Sequence, residues 1–289
     1  MYKYRLGTYK EVGKTVCPYC DKKEFVRLII NESGKIPGEK YGRCDRDTCP
    51  SRAMSQNGII YPEKDLDTLN LEAVKNNDKP KEYYDDETVD KYAEKRTENA
   101  LCRYLLQQVK DKDRFENVLK MYRIGSINDG IIFWQIDQLD LIHRGKVMFY
   151  ESDGHRKKAA GAITMMWKIL NRDRDSEPEM CFFGQHLVYK SDKPVGIVES
   201  EKTALVASYA MPELTWIATL SVNNFNSERM NFFKSFKKPV FVFPDFDGYG
   251  NWAGKTEFIR SALNIDITVD NTIKKLGSGK QDLADLFLS

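Results

Sequence analysis

Residues 194–250 read PVGIVESEKTALVASYAMPELTWIATLSVNNFNSERMNFFKSFKKPVFVFPDFDGYG. Two apolar runs in this stretch, Val195–Val198 and Val240–Phe243, have the length and composition of buried strands. If they are parallel strands of one sheet, their carboxyl ends lie at the same edge. The acidic residues that follow the two runs would then meet there: Glu199, Asp245 and Asp247.

The same region continues this alternation of elements. Strand-like runs recur at residues 215–220 and 265–269. The helix-like segments between the runs are 202–210, 225–236 and 251–263. Strands that alternate with helices of this length predict a parallel sheet covered on both faces, so we expect an α/β domain here.

The spacing of the acidic residues suits a divalent metal. Asp245 and Asp247 are two residues apart, so on an extended backbone their side chains point the same way and can share a cation. Mg²⁺ prefers such hard oxygen ligands and keeps positions for water or phosphate oxygens. Glu199 would then shuttle a proton or help to hold a second metal. The alternative is that the three acids only cap helices.

Four of the six cysteines form two close pairs near the start of the chain: Cys17, Cys20, Cys44 and Cys49. Between the pairs, residues 25–30 predict a strand and residues 31–34 a turn, which together are typical of a zinc ribbon. Four thiolates close a tetrahedral Zn²⁺ site with no open position, so we expect this zinc to be structural. The alternative is two unrelated pairs of buried or reactive cysteines.

Charge is distributed unevenly along the chain. The net charge is only +2, but residues 1–52 carry 12 Lys and Arg against 7 Asp and Glu, and residues 103–175 carry 14 against 10. Between these blocks, residues 61–98 carry 7 basic against 12 acidic residues. The pattern predicts two surfaces that could contact phosphate, joined by a solvated acidic connector. Ordinary solvated faces are the alternative.

A basic hairpin is predicted upstream of the acidic residues. Residues 130–137 and 141–150 read as two strands joined by a short turn. Arg144 and Lys146 share one face of the second strand because side chains repeat every two residues. They could bind a nucleoside triphosphate or a template backbone, or they could be solvent-facing residues of an amphipathic strand.

The composition excludes a membrane-spanning chain. No run approaches the roughly 18 apolar residues that a bilayer span requires, and the first residues lead into no signal-peptide core. We therefore expect a cytoplasmic protein without membrane contact.

These motifs resemble the Toprim domain of bacterial-type primases, topoisomerases and some nucleases. Glu199 at a strand end, followed by a later strand ending in Asp245-Phe246-Asp247, matches the Toprim pattern, although Ser200 stands where primases usually carry glycine. Residues 279–285 look like the acidic stretch that closes the primase module, and they supply Asp282 as a third acid.

The resemblance implies an order of parts along the chain. We expect an α/β Toprim domain with a Rossmann-like parallel sheet, preceded by a small β zinc ribbon and an α+β basic subdomain. The implied boundaries are 1–60 for the zinc ribbon, 61–99 for the acidic linker, 100–190 for the helical and β-hairpin basic subdomain, and 191–289 for the Toprim domain.

The resemblance also implies an activity. We expect a primase-like nucleotidyltransferase of a bacterial mobile element or phage that uses single-stranded DNA, nucleoside triphosphates and catalytic Mg²⁺ or Mn²⁺, with a helicase or other replication protein as a further partner. Asp245 and Asp247 would hold the magnesium and Glu199 would assist. The residues that would position nucleotide or template are Arg144, Lys146 and Asp282.

Two other functions fit the same resemblance. A Toprim nuclease would use these carboxylates to cut DNA phosphodiesters, and a non-catalytic accessory protein would bind nucleic acid without turnover. A topoisomerase is less compatible with the sequence, because it needs a nucleophilic tyrosine on a separate domain.

Overall fold

A computed structural model describes residues 4–31, 33–46, 49, 59–60, 80–276, 279 and 281–288. The chain divides into two compact units, residues 1–78 and residues 79–289. Most of the predicted acidic linker, residues 61–79, lies outside the described residues, as does Lys280 of the predicted closing stretch. The boundaries predicted from the sequence stay predictions.

The first unit is built on a small antiparallel sheet. Its strands lie in the order β1-β2-β3-β4, and a short helix α1 follows β1. The predicted strand over residues 25–30 is confirmed as β2. The bounds are β1 Tyr4–Leu6, α1 Tyr9–Val12, β2 Phe25–Ile30, β3 Gly42–Cys44 and β4 Ile59–Ile60.

The four paired cysteines converge beside this sheet. Their sulfur atoms all lie within 4.8 Å of one another. The Cys17 and Cys49 sulfurs are 3.6 Å apart, and the Cys20 and Cys44 sulfurs are 3.8 Å apart. A tetrahedral zinc with Zn–S bonds of about 2.3 Å separates its sulfurs by about 3.8 Å, so the thiols are arranged as zinc requires.

The cysteines also form part of the core of this unit. Phe25, Cys17 and Cys44 are fully buried, and Tyr19 packs against them. Burial and the neighbouring thiols raise the pKa of Cys44 to about 12. Zinc, when bound, supplies the charge that holds such thiols as thiolates, so metal binding and folding are coupled here.

The second unit begins with three helices whose starts are fixed by side-chain caps. Asp85, Asn99 and Asp111 each accept a hydrogen bond from a backbone N–H in the first turn of the helix that follows, which satisfies a donor that the helix leaves free. The helical part of the subdomain predicted from residue 100 onwards consists of two separate helices. The bounds are α2 Asp86–Ala93, α3 Ala100–Gln108 and α4 Lys112–Met121.

An antiparallel sheet with strand order β5-β6-β7-β8 follows. Its central pair is the predicted hairpin, in which Phe133 lies opposite Lys146 and Gln135 opposite Arg144. The sequence missed the two outer strands, which are only three residues long. The bounds are β5 Gly125–Ile127, β6 Gly130–Ile136, β7 Ile142–Met148 and β8 Ile163–Met165, after which a short helix α5 spans Met166–Ile169.

The predicted parallel sheet is present in the last third of the chain, with strand order β10-β9-β11-β12 and every pairing parallel. The runs at 195–198 and 240–242 are neighbouring strands, so their carboxyl ends lie at one edge. The bounds are β9 Val195–Val198, α6 Glu201–Ala210, β10 Thr215–Ala218, β11 Val240–Val242, α7 Tyr249–Leu263, β12 Ile267–Val269, α8 Thr272–Leu276 and α9 Leu283–Leu288.

The α-helix predicted over residues 225–236 is wrong. The chain forms two 3₁₀ segments there, Val222–Asn224 and Arg229–Ser235. Asn224 donates to the Thr219 carbonyl, and the Asn226 side chain accepts from the Arg229 N–H. Asparagine side chains that bond nearby backbone groups compete with α-helical hydrogen bonds, which explains the difference.

One aromatic cluster joins the two sheets of the second unit. Phe183 stacks on Tyr122 with 4.9 Å between ring centroids and meets Phe133 edge-on at 5.4 Å. Phe183 also exchanges two backbone hydrogen bonds with Ala218 at the end of β10. The segment that carries Phe183 is therefore held by both sheets at once.

Among the described residues, no helix combines the length and the apolar content that a bilayer span would need.

The cysteine geometry predicts one zinc per chain. Elemental analysis of purified protein should give a zinc-to-protein ratio near one, and Cys44→Ser should remove most of it. Cys102→Ala is the matched control, because Cys102 is not one of the four grouped cysteines and is buried in the core of the second unit. Full zinc content in Cys44→Ser would contradict the assignment.

Burial of His186 predicts an acid-sensitive second unit. The residue is 4% exposed, Nε2 contacts the Met121 carbonyl at 3.1 Å, and Nδ1 has no hydrogen-bond partner within the part of the chain that the structure describes. Burial lowers the pKa of His186 to about 4, with Lys190 and Arg123 lowering it further and Asp140 opposing them. In the unfolded chain, His186 therefore binds a proton near pH 6.5, whereas in the folded chain it stays neutral until about pH 4.

Stability should accordingly fall as the pH drops from about 6.5 towards 4. At pH 5, His186 alone should lower the free energy of unfolding by about 2 kcal/mol relative to pH 7.5. Urea titrations followed by tryptophan fluorescence report on this unit, because all four tryptophans lie in it. His186→Gln should reduce the pH dependence by that amount and the exposed His155→Gln should not; equal pH dependence in all three proteins would contradict the assignment.

Candidate active site

Glu199 lies at the carboxyl end of β9, where the sequence places it. Its carbonyl accepts the Leu220 N–H at 2.8 Å, and Leu220 has a left-handed backbone with φ of 67°. This conformation is uncommon for leucine and ends β10 two residues earlier than predicted. Ser200 then starts α6 by accepting the Thr203 N–H at 3.1 Å. The serine in place of the usual glycine therefore acts as a helix cap.

Asp245 and Asp247 lie between β11 and α7, but not on an extended backbone. Asp245 is extended with φ of −64° and ψ of 156°, whereas Phe246–Gly248 form a 3₁₀ turn that leads into the helix. The extended backbone predicted through Asp247 is therefore wrong, and strand alternation does not set the direction of its side chain. Asp245 is half-buried and Asp247 is exposed.

Asp282 reaches the same edge from the end of the chain. The Phe246 N–H donates to the Gln281 carbonyl at 3.0 Å, which ties the aspartate turn to this segment. The Asp282 carboxylate accepts the Thr203 hydroxyl at 2.6 Å. Asp282 and Asp285 also accept each other's backbone N–H at 3.1 and 3.0 Å. The sequence did not identify Asp285, which this reciprocal cap brings beside the predicted acids.

Negative charge accumulates at this edge. The pKa of Asp245 is raised to about 7, first by burial and then by the charges of four other carboxylates. Among the described residues, none of the five acids forms an ion pair. The five acids, Asp245 and the four carboxylates whose charges raise its pKa, are Glu199, Asp245, Asp247, Asp282 and Asp285.

Lys146 is the predicted cation that approaches this region. From the middle of β7, its ammonium contacts the Glu201 carboxylate at 2.8 and 3.1 Å. Glu201 is buried, with 3% of its side chain exposed, and Lys146 is half-buried, with 16% exposed. Glu201 is two residues after Glu199, so the pair connects the antiparallel sheet to the start of α6. Glu201 was missed, because an acid in the first turn of a helix is ordinarily a solvent-exposed dipole partner.

Arg144 shares the face of β7 with Lys146 but has different partners. Its Nε donates to the Pro178 carbonyl at 2.9 Å and lies 3.6 Å from the buried Glu177 carboxylate. Glu177 also accepts the Tyr84 hydroxyl at 2.9 Å. Arg144 is therefore engaged by the segment before the parallel sheet, and its predicted role in nucleotide or template binding stays a prediction.

The two candidate metal sites differ in how far they are formed. Among the described residues, the four cysteines are the one group of three or more Cys, His, Asp or Glu side chains close enough together to hold an ion. The carboxylates at the edge of the parallel sheet influence one another electrostatically, but their oxygen atoms are not close enough together to hold an ion by themselves. Magnesium commonly takes only one or two protein carboxylates and completes its shell with water and phosphate. The unpaired charge around Asp245 therefore fits a magnesium site that a substrate completes.

Comparison with sequence families gives two matches. Residues 2–50 match a zinc β-ribbon finger family, and residues 99–246 match the family described as a domain of unknown function, DUF6371. No curated protein sequence matches the chain.

Several solved primase structures are similar to the chain. The primase fragment of the bacteriophage T7 primase-helicase is 12% identical, with 60% of this chain and 65% of that chain covered and a TM-score of 0.40. The chain thus spans just under two thirds of that fragment. The RNA polymerase domain of Mycobacterium tuberculosis DnaG is 12% identical, with coverages of 70% and 77% and a TM-score of 0.45. A DnaG catalytic core is 11% identical, with coverages of 70% and 73% and a TM-score of 0.46.

The DUF6371 match extends from the start of α3 through β11 to the aspartate turn, and so includes Lys146, Glu199, Glu201 and Asp245. Because it spans just over half of the 289 residues, the chain belongs to the DUF6371 family.

Proposed function

We propose that this chain is a primase-type nucleotidyltransferase whose parallel sheet is a Toprim domain. The observation that carries the proposal is the gathering of five carboxylates at the carboxyl edge of a parallel sheet, where Asp245 is half-buried among them. Such an edge is where α/β sheets place their ligands. A site so rich in unpaired negative charge is suited to a divalent cation and, through it, to phosphate.

The chemistry would be divided among the acids. Asp245 and Asp247 would hold the magnesium, with Asp282 beside them. Bound there, Mg²⁺ would neutralise the charge of a nucleoside triphosphate as the bond to pyrophosphate breaks. Glu199 would accept the proton of the attacking 3′-hydroxyl, as a carboxylate general base.

Lys146 would contribute the positive charge that the acids lack. An ammonium on a rigid strand can bind a phosphate oxygen of the nucleotide or of the template. Glu201 holds that ammonium at 2.8 Å, so its position is fixed before substrate arrives. Glu201 would be a positioning residue for Lys146.

The substrates follow from this chemistry and from the resemblance to primases. Single-stranded DNA would be the template and nucleoside triphosphates the monomers, with the zinc ribbon as a nucleic-acid-binding module. The setting would be the replication of a mobile element or phage in the cytoplasm, together with a helicase or another replication protein.

Priming predicts a specific dependence on Asp245. Zinc-loaded protein, single-stranded DNA, labelled nucleoside triphosphates and Mg²⁺ should yield short oligonucleotides. Asp245→Asn should reduce product by about a hundredfold or more, because it removes a carboxylate ligand of the metal. At about 1.4 kcal/mol for each tenfold in rate, this is a loss of about 2.8 kcal/mol of charge stabilisation. Asp266→Asn is the matched control, since Asp266 is exposed beside the opposite end of β12.

The same reactions separate the alternatives. If the protein with metal, but without nucleotides, cleaves labelled DNA, the activity is that of a nuclease and not of a primase. Absence of product on a panel of templates, with zinc content intact, would make priming wrong. DNA binding without either reaction would assign the accessory function.

The Lys146–Glu201 pair predicts that activity requires the cation to lie on β7, in addition to the stability that the pair provides. Lys146→Glu should destabilise the protein by about 3–5 kcal/mol, since it leaves two buried carboxylates facing each other. The exchanged variant, Lys146→Glu with Glu201→Lys, should recover much of that stability but not the activity, because the cation then lies on α6 instead of β7. Denaturant titration and the priming assay measure the two effects; an exchanged variant that recovers both would reduce the pair to a structural clamp.

A further inference from the structure

A cavity opens at the amino-terminal edge of the parallel sheet, at the other end of β10 from the acids. Its volume is about 430 Å³, within the range of small-molecule sites. Helix α4, the segment before β9, the end of α6 and the start of β10 form its walls. The buried and half-buried residues that line it include Val118, Tyr122, Leu187, Ser208, Leu214 and Trp216.

The interior is apolar with a few hydroxyl groups. The Tyr122 hydroxyl lies 2.6 Å from both the Trp216 carbonyl and the Ser208 hydroxyl. Because a carbonyl can only accept, Tyr122 donates to Trp216, and Ser208 donates to Tyr122. This pair is therefore satisfied by the protein itself.

Thr215 adds another hydroxyl-bearing side chain to the lining. The residue is buried, with 7% of its surface exposed. A hydroxyl can both donate and accept a hydrogen bond, so Thr215 gives the lining one more polar group beside its apolar residues.

The mouth of the cavity is positive. Arg114, Lys190 and Lys193 lie at it, and no acidic residue is among the residues that line the cavity. Lys190 is paired with Asp140, and the nearby Asp192 is paired with Lys238. Arg114 lies over the Tyr209 ring, and the exposed Lys193 completes the mouth. An anionic group is thus favoured at the mouth, whereas the interior favours apolar atoms.

We propose that this cavity binds a small amphipathic anion, with an apolar body inside and a carboxylate, phosphate or sulfonate at the mouth. The occupant is a small molecule rather than a protein segment, since the volume of about 430 Å³ is that of a small-molecule site and the charged residues of the lining are the three cations Arg114, Lys190 and Lys193. The site is separate from the acidic edge, which repels anions. It does not depend on the primase proposal.

The test uses two fluorescent probes that share one ring system and differ in the presence of a sulfonate group. 8-Anilino-1-naphthalenesulfonate carries an apolar ring system and a sulfonate, and N-phenyl-1-naphthylamine is its neutral counterpart. The sulfonate should saturate one site on the full-length protein and bind at least tenfold more tightly than the neutral probe at low salt. Octanoate and phenyl phosphate, added as competitors, distinguish a carboxylate source from a phosphate source.

Three variants locate the site. The double variant Arg114→Glu, Lys193→Glu should weaken sulfonate binding at least tenfold and leave the neutral probe unchanged; both positions are exposed, so folding should be preserved. Asn117→Trp, which fills the mouth, should block both probes. Lys157→Glu, Lys158→Glu is the charge-matched control elsewhere on the unit and should change neither.

The proposal is overturned by any of three results. These are no saturable binding to the wild-type protein, binding that the double variant leaves intact, and equal affinity for the charged and neutral probes. Priming activity is not part of the readout, so failure here leaves the proposed function standing, and the reverse also holds.

Discussion

The ion pair between the half-buried Lys146 and the buried Glu201 is the contact that links the two sheets at the candidate site. Neither charge could be buried alone, because transferring an unpaired ion from water into a protein interior costs several kcal/mol. The pair joins β7 of the antiparallel sheet to the first turn of α6, immediately after Glu199. It therefore brings a cation of the antiparallel sheet to a residue two positions after Glu199. Phe183, packed against both sheets, holds the same two layers together with apolar contacts.

The acids meet because three pieces of chain end at one place. β9 and β11 are parallel neighbours, so the residues that follow them are brought to one edge whatever lies between. The third piece has no strand to direct it; the hydrogen bond between Phe246 and Gln281 and the one between Thr203 and Asp282 bring it there. The serine and threonine of the α6 cap thus extend the site beyond what strand order alone produces.

What the sequence could predict follows from how local each signal is. The runs at 195–198 and 240–243 are apolar enough to be buried strands, and buried strands that alternate with helices give a parallel sheet, so the acidic edge was predictable. The zinc site was predictable for the same reason, since the spacing of the cysteine pairs alone indicates it. The three-residue strands β5 and β8 were not, because segments so short carry no periodicity.

The failures lie where side chains act on the backbone or across the fold. Asn224 and Asn226 divert a segment of helical composition into 3₁₀ turns. Asp247 lies in the 3₁₀ turn that leads into α7 and not on an extended strand, and the pattern of apolar and polar residues does not indicate this turn. Glu201 looks like an ordinary first-turn acid, and only a lysine 55 positions earlier in the chain makes it part of the site. Asp285 depends on a reciprocal cap with Asp282 that is visible only once the loop is closed.

The negative charge at the carboxyl edge of the parallel sheet constrains how a phosphate substrate could bind. At the carboxyl edge, helices α6 and α7 both begin, so their amino termini direct partial positive charge at the acids. That charge is small, and the raised pKa of Asp245 means that the acids remain uncompensated. A triphosphate approaching this edge meets five carboxylates and one lysine that is already paired. If nucleotides bind here, a divalent cation has to arrive before them or with them, and the order of loading is set by electrostatics rather than by shape.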